Sequence, residues 1–293
     1  MQILSAPHAG ATYTYHVFTS SGTLTVTSGG SLALCTVGAG GGSGFNIAGG
    51  GGGGELDLFA NFTVSANLTV TIGAGGTFST SDATKGSNGG TSSVVEVSTT
   101  HQSALGGGGS GSASAVDGQT GGSGGGGNYA SGAGGGASGS NTFAGGAGFS
   151  SGAESHGGGG GGATAVGLGN PNPTGGQGYA LTSIDANLTS TNFPTTLTGK
   201  THVSSGGGGQ YYIANNTNGP QAGGTNAGTG EYYSNTRQIA ATSPTSYGCG
   251  GGGGGAFTAN NGTAGFAGVV IVRYITGLVV ASGGQETITG LPI

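Results

Sequence analysis

Residues 118–148 read GQTGGSGGGGNYASGAGGGASGSNTFAGGAG. Fifteen of these 31 residues are glycine, so chance would put 11 × 15/31, or about five, glycines on the 11 positions spaced by three from Gly118. Eight are found there, and two of the other three positions hold Ala130 and Ala133, with Thr142 the exception. A period of three is that of the polyproline II type of helix, which has three residues per turn and no internal hydrogen bonds. Chains without Cβ atoms can lie side by side in this conformation and exchange N–H···O=C bonds with several neighbours. Weak Cα–H···O contacts add to them. The stretch therefore predicts a packed polyglycine II array. The competing reading, a flexible linker, fits poorly. Six runs of four or more glycines (Gly49–Gly54, Gly106–Gly109, Gly124–Gly127, Gly157–Gly162, Gly206–Gly209 and Gly250–Gly255) would leave pieces between them too short to fold alone.

The whole chain agrees with that stretch. Glycine supplies 77 of 293 residues, and Lys, Arg, Asp and Glu together only 13. Glycine costs about 1 kcal/mol per helical position relative to alanine, so a helical protein is excluded. The ordering entropy of so much glycine is the main cost such a fold must offset. Four cations cannot make the phosphate contacts that dominate nucleic-acid affinity. The net charge of −5 carries no strong message about partners. No apolar stretch approaches 18 residues, so no membrane insertion is expected. MQILSAPHAG at the N-terminus has no cationic start followed by an apolar run, so no secretory signal is read. Cys35 and Cys249 fit no metal spacing and read as small buried residues, with their pairing left open.

Strand signals lie at both ends of the chain. Residues 13–19 (YTYHVFT) alternate, and Thr23–Thr27 has period two, with Leu24 and Val26 on one face. Ser20-Ser21-Gly22 between them predicts a hairpin turn. Further strands are expected at 31–37, around Leu56 and Leu58, over 68–72 and over 94–97. Residues 269–275 (VVIVRYI) form a continuous apolar run, as in a strand buried on both faces. Leu278–Ala281 and Glu286–Ile288 form a final pair. The predicted organisation is one glycine-rich domain over 1–277, followed by a C-terminal strand or tail at 278–293. Within the domain, 13–105 and 256–277 form a β framework and 106–255 a polyglycine and loop insert. The polar pieces within 170–200 and 210–247 are expected to emerge from the array as loops at its ends.

No constellation for chemistry stands out. G-x-G-x-x-G patterns recur, without weight in so glycine-rich a chain and without a strand-to-helix context. Gly199-Lys200-Thr201 looks like the end of a phosphate loop, but Pro194 occupies the required earlier glycine position. Glu154 and His156 are two potential ligands, too few for a metal site, and His101 and His202 have no partners at ligand spacing. Nothing local marks an activated serine. The chain is read as a non-enzyme without metal or cofactor. The tyrosine pairs are more informative. Tyr211 and Tyr212, with Asn215, and Tyr232 and Tyr233, with Arg237, bring large amphipathic contact area together with adaptable hydrogen bonders. These six residues are the candidates for partner binding. In the competing reading, one tyrosine of each pair plugs the array and the other is simply exposed.

Residues 15–26 (YHVFTSSGTLTV) and 34–41 (LCTVGAGG) resemble the opening of the glycine-rich domain found in many bacteriophage tail-fibre and virion proteins. Residues 70–76 (VTIGAGG) and 268–275 (GVVIVRYI) match its later landmarks, so the resemblance spans about 13–276. The plan is similar to the glycine-rich module of anaplastic-lymphoma-kinase-type receptors and to the fibre-tip adhesins of T-even-like phages. Snow-flea antifreeze proteins share only the polyglycine II packing. The resemblance implies an all-β fold, a small β-sandwich framework (TNF/jelly-roll-like) with an inserted polyglycine II bundle and almost no α-helix. It brings no catalytic residues. The implied function is a phage virion protein, a tail-fibre tip or receptor-binding adhesin contacting a host-surface glycan or outer-membrane protein. Other virion proteins are expected as partners, and a homotrimer is admitted. The alternative is a purely structural virion component such as a fibre shaft or head decoration protein. Ice binding would need a flat Thr- or Ala-bearing face, against which the irregular 170–247 region argues.

Overall fold

The computed structural model describes residues 11–151, 154–186, 188, 197–213, 220–234, 237–255 and 262–290. The first half supplies β1 (Thr12–Phe18), β2 (Gly22–Ser28), β3 (Gly30–Val37), β4 (Leu56–Val64), β5 (Leu68–Thr71), β6 (Ser92–Glu96) and β7 (Thr99–Ala104). Then come the short strands β8 (Phe149–Ser150), β9 (Glu154–His156) and β10 (Tyr179–Ala180), the single helical turn α1 (Leu181–Ile184) and β11 (His202–Val203). The chain continues through β12 (Tyr211–Ile213), β13 (Tyr232–Tyr233), β14 (Gln238–Ile239), β15 (Val269–Ile275), β16 (Val280–Ser282) and β17 (Gln285–Gly290). The fold is all-β. No helix among the described residues is long and apolar enough to cross a membrane.

Two five-stranded antiparallel sheets form the sandwich, in the orders β17-β1-β15-β3-β4 and β16-β2-β5-β6-β7. The β-branched run of β15 sits at the centre of the first sheet, and its side chains alternate between two cores. Val270, Val272 and Tyr274 meet Phe18, Leu24, Leu34, Leu68 and Val94 between the sheets. Val269 and Ile271 face the other way and join Tyr15, Cys35 and Val37 beneath a cap formed by Leu181, Ile184, Leu188, Leu197 and Val203. The run is thus buried on both faces, as its composition requires. Arg273 lies within it because its guanidinium donates to Asp185 Oδ2 at 2.7 Å, an atom that also accepts from the Tyr15 hydroxyl at 2.8 Å. Its guanidinium carbon stands 4.9 Å from the centre of the Tyr13 ring.

Residues 20–22 do not close a hairpin. β1 pairs with β15 and β17, whereas β2 pairs with β5 and β16. Burial demand separates the two strands. β1 is buried over six of its seven residues and needs cover on both faces, whereas β2 turns Leu24 inward and Thr23 and Thr25 to solvent. The C-terminal pair splits in the same way, β16 joining β2 and β17 joining β1, so residues 280–290 belong to the framework as two edge strands. β7, which the sequence pattern does not mark, completes the second sheet.

The glycine runs pack as a bundle whose bonding repeats every three residues. In the central run the amides of Gly50 and Gly53 donate to Gly158 and Gly161, those of Gly51 and Gly54 to Gly251 and Gly248, and those of Gly52 and Glu55 to Gly108 and Leu105. Three further neighbours donate to this run: Gly126 and Ser123 to Gly50 and Gly53, Gln210 and Gly207 to Ala48 and Gly51, and Gly41 to Gly52. One strand surrounded by six others is the hexagonal arrangement that a Cβ-free, three-fold helix permits.

The array also sets two poles. At its Glu55 end the central run leads into Leu56 of β4, beside the starts of the runs that leave β3 at Gly38 and β7 at Leu105. At its Ala48 end lie Gln210, just before β12, and Gly157, just after β9. The seven steps from 48 to 55 separate these poles by about 22 Å at about 3.1 Å per residue. The described apolar part of 181–203 is no free loop: it caps the first sheet, burying Leu181, Ile184 and Leu197. Lys200 is likewise engaged, with Nζ 5.1 and 4.9 Å from the ring centres of Tyr247 and Phe266, and it donates to Thr245 O at 2.6 Å. Both cysteines are free and buried, and burial pushes their thiols up to about 12 for Cys35 and about 11 for Cys249.

His16 is fully buried, with Nδ1 2.8 Å from Gly283 O and Nε2 2.8 Å from the Tyr274 hydroxyl. Burial lowers its pKa below the ordinary 6.5, against opposing contributions from Gly283 O and Glu286. In the folded state the ring stays neutral at pH values where the unfolded chain binds a proton, so its contribution to stability is present above pH 6.5 and is lost as pH falls below it. The chain should accordingly melt at lower temperature as pH is taken below 6.5, and His16→Gln should flatten that slope. Melting curves across this range for both proteins test it.

Candidate functional site

The pole remote from the sandwich carries a third five-stranded sheet, in the order β14-β13-β12-β9-β8. β12 and β13 pair in parallel and place Tyr211 opposite Tyr232 and Tyr212 opposite Tyr233. β9 adds His156 beside Tyr211 and Ser155 beside Tyr212, and β8 adds Phe149 and Ser150. Side chains alternate across a strand, so each row occupies its own face.

The inner row is a ladder of rings. Phe149 stacks on His156 at 5.2 Å, His156 on Tyr211 at 5.6 Å, and Tyr211 on Tyr232 at 6.3 Å between centroids, with interplanar angles of 24°, 2° and 10°. His156, Tyr211 and Tyr232 are 0%, 3% and 0% exposed. The Tyr211 hydroxyl donates to Glu154 Oε1. His156 Nε2 lies 3.3 Å from Asn170 Oδ1. Burial lowers the His156 pKa, with Asn170 and Glu154 acting in the opposite direction. The Glu154 and His156 side chains therefore belong to this ladder.

The outer row runs Ser150, Ser155, Tyr212, Tyr233, Gln238. Tyr212 and Tyr233 are half-buried, their rings 5.7 Å apart and inclined by 16°. The Ser150 and Ser155 hydroxyl oxygens are 3.0 Å apart. Gln238 Nε2 donates to Glu231 Oε1 at 2.7 Å. Ser234 N donates to Arg237 O at 2.8 Å and Arg237 N to Ser234 Oγ at 3.1 Å, which fixes the exposed Arg237 where the chain enters β14. The arrangement offers aromatic, hydroxyl and amide groups on one face of a rigid support, with Arg237 exposed where the chain enters β14. Such a set suits binding by contact and hydrogen bonding.

Of the six sequence candidates, Tyr212, Tyr233 and Arg237 are accessible. Tyr211 and Tyr232 are inside and cannot touch a partner, since alternation sends the first tyrosine of each pair inward. Asn215 lies outside the described residues. Ser150, Ser155 and Gln238 join Tyr212 and Tyr233 in the outer row through strand pairing alone. Nothing in the sequence pairs residues 149–156 with a strand more than fifty positions later.

The glycine-rich domain family model matches residues 18–275. No curated protein matches the chain. The match begins in β1 and ends with β15, enclosing most of the sandwich, the whole array and the distal sheet. By that match, which covers most of its length, the chain belongs to the glycine-rich domain family.

Proposed function

We propose that this chain is a phage virion protein that acts at a tail-fibre tip as a receptor-binding adhesin. The outer row of the distal sheet contacts a host-surface glycan or outer-membrane protein. The observation that carries this reading is the position of the Tyr212–Tyr233 face, at the pole remote from the sandwich and braced from beneath by a ladder of four rings. The sandwich pole would join the fibre or tail. Contacts of this kind are shallow, and several copies on one particle would raise the effective affinity.

Fluorescently labelled protein should adsorb saturably to particular bacterial strains. Tyr212→Ala with Tyr233→Ala should abolish adsorption while leaving the melting temperature near that of the parent. Tyr211→Ala, in contrast, should act through folding, costing about 3–5 kcal/mol as a buried aromatic truncation. Unchanged adsorption in the outer double variant would remove the site from this face. A folded protein that adsorbs to no strain, its own host included, would favour a structural virion component.

A further inference from the structure

β10 and β11 pair antiparallel, with Tyr179 opposite Val203 and Ala180 opposite His202, and form one side of an open cleft of about 530 Å³. Gln177, Ser183 and Thr225 contribute to the rest of its lining. Existing hydrogen bonds decide which atoms remain available there. Thr225 N donates to Gln177 Oε1 at 3.0 Å, so Gln177 is left with its Nε2 protons. Asn226 Oδ1 accepts from Thr201 N, the Thr201 hydroxyl and His202 N at 3.1, 2.9 and 3.1 Å. The Thr201 hydroxyl proton is thus committed, and the 3.1 Å contact between Thr201 Oγ1 and His202 Nδ1 runs from Nδ1–H. Burial lowers the His202 pKa below the ordinary 6.5, so at neutral pH the ring is uncharged and its Nε2 is a bare acceptor. Gln177 Nε2, His202 Nε2 and the Tyr179 hydroxyl have no hydrogen-bond partner among the described residues.

We propose that this cleft is a saccharide-binding site, which takes one sugar ring through a pair of neighbouring hydroxyls. The cleft presents one fixed acceptor and one fixed donor, and a hydroxyl can satisfy either. One hydroxyl of the pair donates to His202 Nε2, and the other accepts from Gln177 Nε2. The half-buried Tyr179 adds an aromatic face for the apolar side of the sugar and a hydroxyl at its rim. A phosphate or carboxylate fits poorly, because it has no proton for the bare His202 nitrogen. Both polar groups are held before any ligand arrives, so little ordering cost remains at binding. The site is separate from the tyrosine face. Ser204, just after β11, meets the central run at Gly53, whereas Gln210, just before β12, meets it at Ala48, so the cleft lies toward the sandwich end of the array.

Saturation-transfer difference NMR of the full chain near neutral pH tests this, with the methyl glycosides of glucose, galactose, mannose and N-acetylglucosamine as probes. At least one glycoside should bind saturably, with a dissociation constant on the order of millimolar. Glycerol, a diol without a ring, should not bind. Gln177→Glu keeps the acceptor for Thr225 N and removes the amide donor, and His202→Phe keeps a ring and removes the acceptor. Each should weaken binding about tenfold or more at an unchanged melting temperature. Tyr212→Ala with Tyr233→Ala should leave sugar binding unchanged, so failure here and failure of the adhesin reading are distinguishable. Saturation by none of the glycosides, an equal response to glycerol, full binding in either cleft variant, or binding lost with the two outer tyrosines would each overturn the proposal.

Discussion

Gly51→Ala should destabilise the protein by about 3 kcal/mol or more, the upper range for overpacking a filled core, and lower its melting temperature by roughly 6–12 °C. A Cβ at this position would lie well under 3.0 Å from the carbonyl oxygen of Gly41, a separation real Cβ atoms essentially never show. The obstacle is backbone, so no side-chain rotamer relieves it. Gly41 is itself fixed, because its carbonyl accepts from Gly251 N and its amide donates to Gly52 O. Any shift is passed to neighbouring runs, in an interior as closely packed as a crystal. Gly136→Ala provides the comparison. There the nearest atom to an added Cβ is the Thr120 side-chain oxygen at 3.4 Å, and the backbone does not have positive φ. That variant should stay within about 0.5 kcal/mol of the parent. Thermal melts of both proteins check the pair. Equal melting temperatures would mean that the central run is not packed as described.

Asp185→Ala should cost about 3–5 kcal/mol, because it leaves the Arg273 guanidinium buried without its carboxylate. Both side chains are almost inaccessible, at 1% and 4%. Asp185 also takes the Tyr15 hydroxyl, so the loss loosens the cap over the first sheet as well as removing a charge pair. Hydrogen exchange should therefore rise first in residues 181–186 and 197–203, before the strands of the sandwich open. Replacing both partners, as Asp185→Leu with Arg273→Met, should cost less than the single change, since no orphaned charge remains. Urea unfolding of the parent and the two variants gives the ordering. A single variant more stable than the double one would refute the account.

The outer strands, the doubly buried β15 and the packed glycine array are legible from residue pattern. Alternation and β-branching mark strands, and a three-residue glycine period marks the array. The Ser20-Ser21-Gly22 turn misleads because turn chemistry is local, while the choice of sheet follows from how many faces of each strand need cover. The tyrosine pairs are visible as unusual residues, and strand alternation implies that one of each pair is buried. Which one is buried depends on how β12 and β13 are set against the array.

Composition and periodicity by themselves determine that this chain is all-β, that its glycines pack against one another, and that its conspicuous aromatic groups are clustered. Only the tertiary structure decides which runs are neighbours, which pole the tyrosines occupy, and that Ser150, Ser155 and Gln238 stand beside them. The reason is physical. A glycine run has no side chain with which to prefer one neighbour over another, so every run fits every other equally well along its length. The order of the array is set by what the ends of the runs carry, the sandwich strands at one pole and the aromatic sheet at the other.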